Sequence, residues 1–253
     1  MLIYGICFYY GKNKKQNIIN HIKCFNNVKK DNDIFCLTIM VDNNNTDLHN
    51  KIEIEFIELL KENGVLNRKI LIDFNSGGTV LGLYNTFNYF KNNNKNDYIA
   101  FFEEDFYSIN NNWLYDSINK LNNSDYIYIG ENTQDIHSKI TNDNLFLKEI
   151  NVYDMNKSNC WKLNFSDIYH KNNCELLNNT LYWTDGGYYF SSIGNFNKIY
   201  EKIGIFHKGN KEIKYHHKID GIILGEVGFP SQIKKYFNFA GLLRGKYFVH
   251  NEK

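Results

Sequence analysis

Three acids follow directly on an apolar run in Phe101-Phe102-Glu103-Glu104-Asp105. Carboxylates at neighbouring pleat positions can share a hard cation such as Mg2+ or Mn2+, which keeps sites open for diphosphate oxygens and neutralises charge on a leaving phosphate group. The triplet ends an apolar strand-length run, and open α/β sheets bind ligands at the carboxyl ends of their strands. A solvated strand end, or acids at the N-terminus of a following helix, is the plainer account of the same residues. Phe8, Tyr9 and Tyr10 end the first apolar run and carry rings able to stack on a planar base, although Phe8 reads equally well as core.

The first half of the chain supplies a frame for these residues. Apolar runs of strand length alternate with stretches of helical period, the pattern of βαβ units and a mainly parallel sheet. A first strand is expected over 2–10, and then Ile18, Ile19, Ile22, Phe25 and Val28 share one helical face. A second strand over 33–41 leads through Asp42-Asn43-Asn44-Asn45 to Thr46, read as an N-cap. The helix it opens carries Leu48, Ile52, Phe56, Leu59 and Leu60 and ends at Gly64. A third strand over 69–74 and the loop Asn75-Ser76-Gly77-Gly78 precede a helix with Val80, Leu81, Tyr84, Phe87 and Phe90 on one face, and a fourth strand over 97–102 runs into the acids. A short helix near 113–121 and a strand over 126–130 follow. Residues 131–180 are polar with short strand-like pieces such as 145–152, after which a strand over 181–190 leads to a helix near 193–203. No repeat, coiled coil or low-complexity linker is visible.

A chain of 253 residues suits one large α/β domain with a real core. Its net charge of +1 supplies no global basic field for nucleic acid or an anionic membrane, so small partners are expected and no nucleic acid. Cys7, Cys24, Cys36, Cys160 and Cys174 form no Cys-x-x-Cys pair, and Cys7 and Cys36 lie inside apolar runs. They read as buried thiols of a reducing compartment. No segment reaches the roughly 18 apolar residues of a membrane span, and a cytoplasmic location is expected.

The order of these segments resembles the GT-A glycosyltransferases. The acidic triplet is similar to their DxD motif and departs from its usual first aspartate by carrying Glu103. That resemblance implies Asp105 as the main metal ligand, Glu103 facing the nucleotide or the metal, and Glu104 and Tyr10 in the nucleotide-binding set. Asn75-Ser76-Gly77-Gly78, then Asn85, then Tyr98-Ile99-Ala100-Phe101-Phe102 is similar to the Asn-x-Gly, Asn, DxD succession of family 2 glycosyltransferases. The glycine pair equally suits a positive-φ turn into a helix. Asp42 falls where family members hold the base or ribose, with an Asx-turn as the alternative. Asp185-Gly186-Gly187-Tyr188-Tyr189-Phe190-Ser191-Ser192 resembles the segment at which family 2 and fringe-like transferases receive the acceptor sugar, with Tyr189 and Trp183 as stacking faces. A packed strand with aromatic cross-strand pairs is the other reading. Asp220-Gly221-Ile222-Ile223-Leu224-Gly225-Glu226 looks like the acidic stretch that supplies their general base, which accepts the acceptor hydroxyl proton as that oxygen attacks the anomeric carbon. One acid stands where the family often has two, and Asp220 also suits a helix N-cap. Tyr247-Phe248-Val249-His250 resembles the late histidine that binds the metal in several GT-A families, while a lone histidine in a terminal strand is also simply structural.

The resemblance implies a single GT-A domain over 1–253, an α/β fold with a mainly parallel central sheet. A Rossmann-like nucleotide-sugar-binding half (1–110) merges there with an acceptor-binding and catalytic half (111–253). It implies an inverting transfer of one sugar from a nucleotide-diphosphate donor, UDP-sugar favoured, to a hydroxyl of a glycan or small saccharide. Mn2+ or Mg2+ would be held by Asp105, Glu103 and His250, with Asp220 as base and Asp185 in reserve. A nucleotidyltransferase of related fold and a non-catalytic carbohydrate-binding protein are the alternatives. Tyr10-Gly11-Lys12-Asn13-Lys14-Lys15 only faintly echoes the Gly-rich basic loop that the former carries after its first strand.

Overall fold

Leu2–Tyr9 is an unbroken apolar run of the kind required by a strand covered on both faces, and it forms β1 near the middle of a seven-stranded sheet. The computed structural model describes residues 1–11, 15–42, 45–74, 78–132, 148–151, 180–183, 185–204, 206, 229–234, 236–243 and 245–250. After β1 come α1 (Lys15–Val28), β2 (Ile34–Val41), α2 (Thr46–Glu62), β3 (Arg68–Phe74), α3 (Gly78–Phe90) and β4 (Tyr98–Glu103). Then follow β5 (Phe106–Ser108), α4 (Asn112–Asn122), β6 (Tyr126–Asn132), β7 (Lys148–Asn151), β8 (Thr180–Trp183) and β9 (Asp185–Ser192). The last described elements are α5 (Ile193–Ile203), α6 (Phe229–Lys234), β10 (Asn238–Leu243) and β11 (Phe248–His250).

The sheet has the order β10-β6-β9-β4-β1-β2-β3. β1 pairs in parallel with β2 and with β4, β2 with β3, and β6 with β10. Only β9 among these seven strands runs the other way, antiparallel to both β4 and β6. The mixed α/β architecture with a mostly parallel central sheet is therefore the one that the alternating pattern implied. The chain steps from β1 outward to β3, then crosses back through α3 to lay β4 on the other side of β1. Strand order thus reverses between β1 and β4, which makes their carboxyl ends the topological switch point of the sheet.

Each face of the sheet has its own core. On one, Tyr4, Ile6 and Phe8 of β1 meet Ile18, Ile22 and Phe25 of α1, Ile52, Phe56 and Leu60 of α2 and Trp113 of α4. On the other, Ile3 and Cys7 meet Val80, Leu83 and Phe87 of α3, Ile193, Phe196 and Ile199 of α5 and Phe229 of α6. Two glycines set how closely α3 approaches. A Cβ on Gly5 would lie 2.6 Å from Cδ2 of Phe101, and one on Gly82 would lie 3.0 Å from Sγ of Cys7 and from Cζ of Phe101.

Local readings shift in four places. Asn45 rather than Thr46 caps α2, its side chain accepting from the Asp47 N–H at 2.9 Å, because Asn is a better side-chain acceptor here than a residue already inside the first turn. On α3 Leu83 is buried while Leu81 and Tyr84 are half-buried, so the core stripe is rotated from the one expected. Phe8 is core, against Phe56. Tyr189 is fully buried beside Phe229, since β9 is an interior strand with helices on both faces, and its ring is not available as a platform for a sugar. Cys7, Cys24 and Cys36 are buried free thiols, and no described helix is long and apolar enough to cross a membrane.

Because Phe101 is packed on every side, Gly5→Ala must displace a core ring. Its expected cost is about 1–3 kcal/mol of stability by overpacking, read as a lower urea midpoint with unchanged slope.

Candidate functional site

The backbone ladder between β1 and β4 ends at the pair Cys7 and Glu103. Beyond it, side chains take over. Glu104 is 2% exposed, and its Oε2 accepts the Tyr9 N–H at 2.9 Å, tying the ends of the two strands together. His21 of α1 reaches the same point from below: its Nε2 lies 3.0 Å from the Glu103 carbonyl and its Nδ1 3.0 Å from the Tyr4 hydroxyl. A carbonyl can only accept, so Nε2 carries the proton and Nδ1 accepts from Tyr4. The imidazole is thus held neutral, and its burial pushes the pKa down to about 4 in spite of the carbonyls that favour the charged form.

With Glu104 turned inward, Glu103 and Asp105 are half-buried. One oxygen of Glu103, Oε1, accepts from the Thr79 hydroxyl at the start of α3. Burial above all, then the charges of Asp105 and Glu104, pushes the Glu103 carboxyl up to about 7 against the opposing pull of Thr79 and His250. Nε2 of His250 lies 3.4 Å from Oδ1 of Asp105. One ligand atom from each of Glu103, Asp105 and His250 falls within 4.8 Å of the others.

His250 reaches this point on a two-stranded ribbon. β11 pairs antiparallel with β5, placing His250 opposite Phe106, one residue beyond Asp105. Phe248 is buried against Phe102, Phe106 and Tyr188, and the Tyr247 hydroxyl donates to Oδ2 of Asp116 on α4 at 2.5 Å. Gly245, with φ of 80°, makes the turn before the strand.

Two carboxylates and an imidazole form a donor set that fits a divalent cation. The oxygens suit Mg2+ or Mn2+, and the nitrogen tilts the set toward the transition metal. Burial is the main reason the Glu103 carboxyl is pushed up to about 7, and a bound cation would favour its charged form.

The other predicted residues distribute along the same edge of the sheet. Tyr10 is half-buried just past β1 with its N–H on the Met40 carbonyl at 2.9 Å, and Asp42 is exposed just past β2. Tyr9 pairs with Met40 and Val41 with Phe74, so the ends of β1, β2 and β3 lie side by side, and the Phe74 ring there is 44% exposed. Asn85 donates to Oδ2 of Asp73 at 2.6 Å, bracing the end of β3. Asp185 opens β9 opposite Glu131, and since β9 is antiparallel its start lies on the edge where β4 and β6 end. Asp220 lies outside the described residues, as do Asn75, Ser76, Gly77 and Lys12.

Three residues that sequence reasoning passed over matter here. His21 sits in register with Ile18, Ile22 and Phe25, and a histidine on a core-facing stripe was the available signal. Thr79 had none. Glu131 is fully buried at the end of β6, and its Oε2 accepts the Gly187 N–H at 3.1 Å. A Cβ on Gly187 would sit 2.6 Å from that oxygen and 2.5 Å from Cγ of Phe106, so this glycine is required by its own neighbours.

No family model matches the chain, and no curated protein matches it. Solved structures do. The chain is similar to S. aureus TarS at 13% identity, covering 99% of this chain and 36% of that one with a TM-score of 0.48. It is similar to HddC from Yersinia pseudotuberculosis at 13% identity, covering 99% and 93%, with a TM-score of 0.46. A protein described as a glucose-1-phosphate thymidylyltransferase from Bacillus anthracis, in complex with a sucrose, is 12% identical over 99% of this chain and 89% of that one, with a TM-score of 0.47.

The buried imidazole makes a pH prediction. As pH falls, the unfolded chain protonates His21 near the ordinary 6.5, whereas the folded protein resists until about 4. The stability this neutral histidine supports is complete above 6.5 and is lost as pH falls toward 4. Relative to His21→Gln, the wild type therefore loses up to about 3 kcal/mol between pH 7 and pH 4, measurable by urea unfolding at each pH.

Proposed function

We propose that this chain is a GT-A glycosyltransferase that moves one sugar from a nucleotide-diphosphate donor, UDP-sugar favoured, to a hydroxyl of a glycan or small saccharide. The observation that carries the reading is the convergence of Glu103, Asp105 and His250 at the switch point between β1 and β4. A ligand bound in that crevice lies across the end of β1, where Tyr10 and Asp42 can meet its base and ribose, and its diphosphate reaches the three donor groups. Residues 1–110 make up the donor half in this reading and 111–253 the acceptor half.

A Mn2+ or Mg2+ ion held by Asp105, Glu103 and His250 would supply positive charge to the leaving diphosphate. The protein's own residues do the rest. Glu104 and His21 fix the turn that carries the two ligating carboxylates, so that these are set before the donor arrives. In this reading Asp220 takes the proton from the acceptor hydroxyl as that oxygen attacks the anomeric carbon, and inversion requires the base to act on the face of the sugar opposite the leaving group. Asp185, at the start of β9, is the reserve base.

A panel of UDP-, GDP- and dTDP-sugars, scored for nucleotide release with Mn2+ and with a chelator, tests this function. Turnover is expected with Mn2+ only, and Asp105→Asn should lower it by about a hundredfold or more. Asp220→Asn should abolish transfer while leaving donor binding intact. Chelator-insensitive turnover contradicts the metal assignment, and strong residual transfer by Asp220→Asn moves the base to Asp185. Release of pyrophosphate from a nucleoside triphosphate and a sugar phosphate would instead make the protein a nucleotidyltransferase.

A further inference from the structure

We infer that Thr79 is a positioning residue for the metal centre: its hydroxyl holds one oxygen of Glu103 and so sets the orientation in which that carboxylate faces Asp105 and His250. This rests on the metal reading above. Thr79 is the second residue of α3 and is 8% exposed, at the point where the helix comes up beneath the ends of β1 and β4. Its Oγ1 has two partners, Oε1 of Glu103 and, at 3.2 Å, the hydroxyl of Tyr9.

The direction of these bonds follows from what each group can do. An ionised carboxylate only accepts, so the Thr79 hydroxyl donates to Glu103, and the Tyr9 hydroxyl in turn donates to the Thr79 oxygen. Both capacities of the threonine are thereby used. Tyr9 also gives its N–H to Glu104. A single residue at the end of β1 therefore fixes both neighbouring acids, Glu104 directly and Glu103 through Thr79. An outer partner of this type holds a ligand's orientation and basicity without touching the ion.

The effect is separable from a purely structural one. Calorimetric titration of the full chain with Mn2+ alone, in metal-free buffer, compares the wild type with Thr79→Val and Thr79→Ser, and thermal midpoints are recorded without metal. Thr79→Val keeps the shape and removes the hydroxyl, and its Mn2+ affinity is expected to fall by roughly ten- to a hundredfold. Thr79→Ser restores the hydroxyl and is expected to bind close to the wild-type level. Leu60→Ala, near the C-terminal end of α2 in the core on the other face of the sheet, is the control for lost stability. If Thr79→Val does not fold, Thr79→Ala carries the same comparison. A Thr79→Val or Thr79→Ala protein that binds Mn2+ as well as Leu60→Ala does overturns the positioning role. Failure of the wild type itself to bind Mn2+ overturns the metal reading and this inference with it.

Discussion

Where the ladder between β1 and β4 stops, backbone groups that have left water still need partners, and side chains supply them. Glu104 accepts the Tyr9 N–H, and His21 donates to the Glu103 carbonyl. These two bonds fix the turn after β4 and settle which acid points inward. Glu103 and Asp105, two residues apart, are left half-buried on the side that His250 approaches. An unpaired buried donor at Tyr9 would cost about 1–3 kcal/mol, so the inward turn of Glu104 is enforced by satisfaction of the backbone.

The rest of the fold makes that turn a site. The crossover through α3 brings β4 to the inner side of β1 and creates the crevice. The closeness of α3, permitted by Gly5 and Gly82, brings Thr79 within reach of Glu103. On the other side β9 is inserted antiparallel between β4 and β6, so that its first residue, Asp185, begins where those strands end. The ribbon of β5 and β11 then folds His250 back to Asp105. Removal from water, and after it the charge of the neighbouring acids, pushes the Glu103 carboxyl up to about 7, and a cation would offset both.

Much of the first half was legible because strand and helix periods alternate cleanly over 2–103, and every strand and helix expected there is present within a residue or two. The acidic turn was legible too, since charged residues interrupt an apolar run. What was illegible depends on tertiary placement. Glu104 looks identical in type to Glu103, and only the Tyr9 N–H distinguishes them. Tyr189 reads as a candidate platform until β9 proves to be an interior strand. The histidine at position 250 is far from the acids in sequence; the family resemblance pointed to it, and pairing of β11 with β5 is what carries it to them. Thr79 carries no pattern at all, being one of several small polar residues near a helix start.

In the proposed function Glu103, Asp105 and His250 hold a divalent cation in the crevice between β1 and β4. Crystals grown with Mn2+ and UDP, examined by anomalous diffraction at the manganese edge, address it most directly. One strong peak bonded to all three side chains and to diphosphate oxygens is expected. A peak elsewhere, or a bound nucleotide with no metal among these residues, would contradict it.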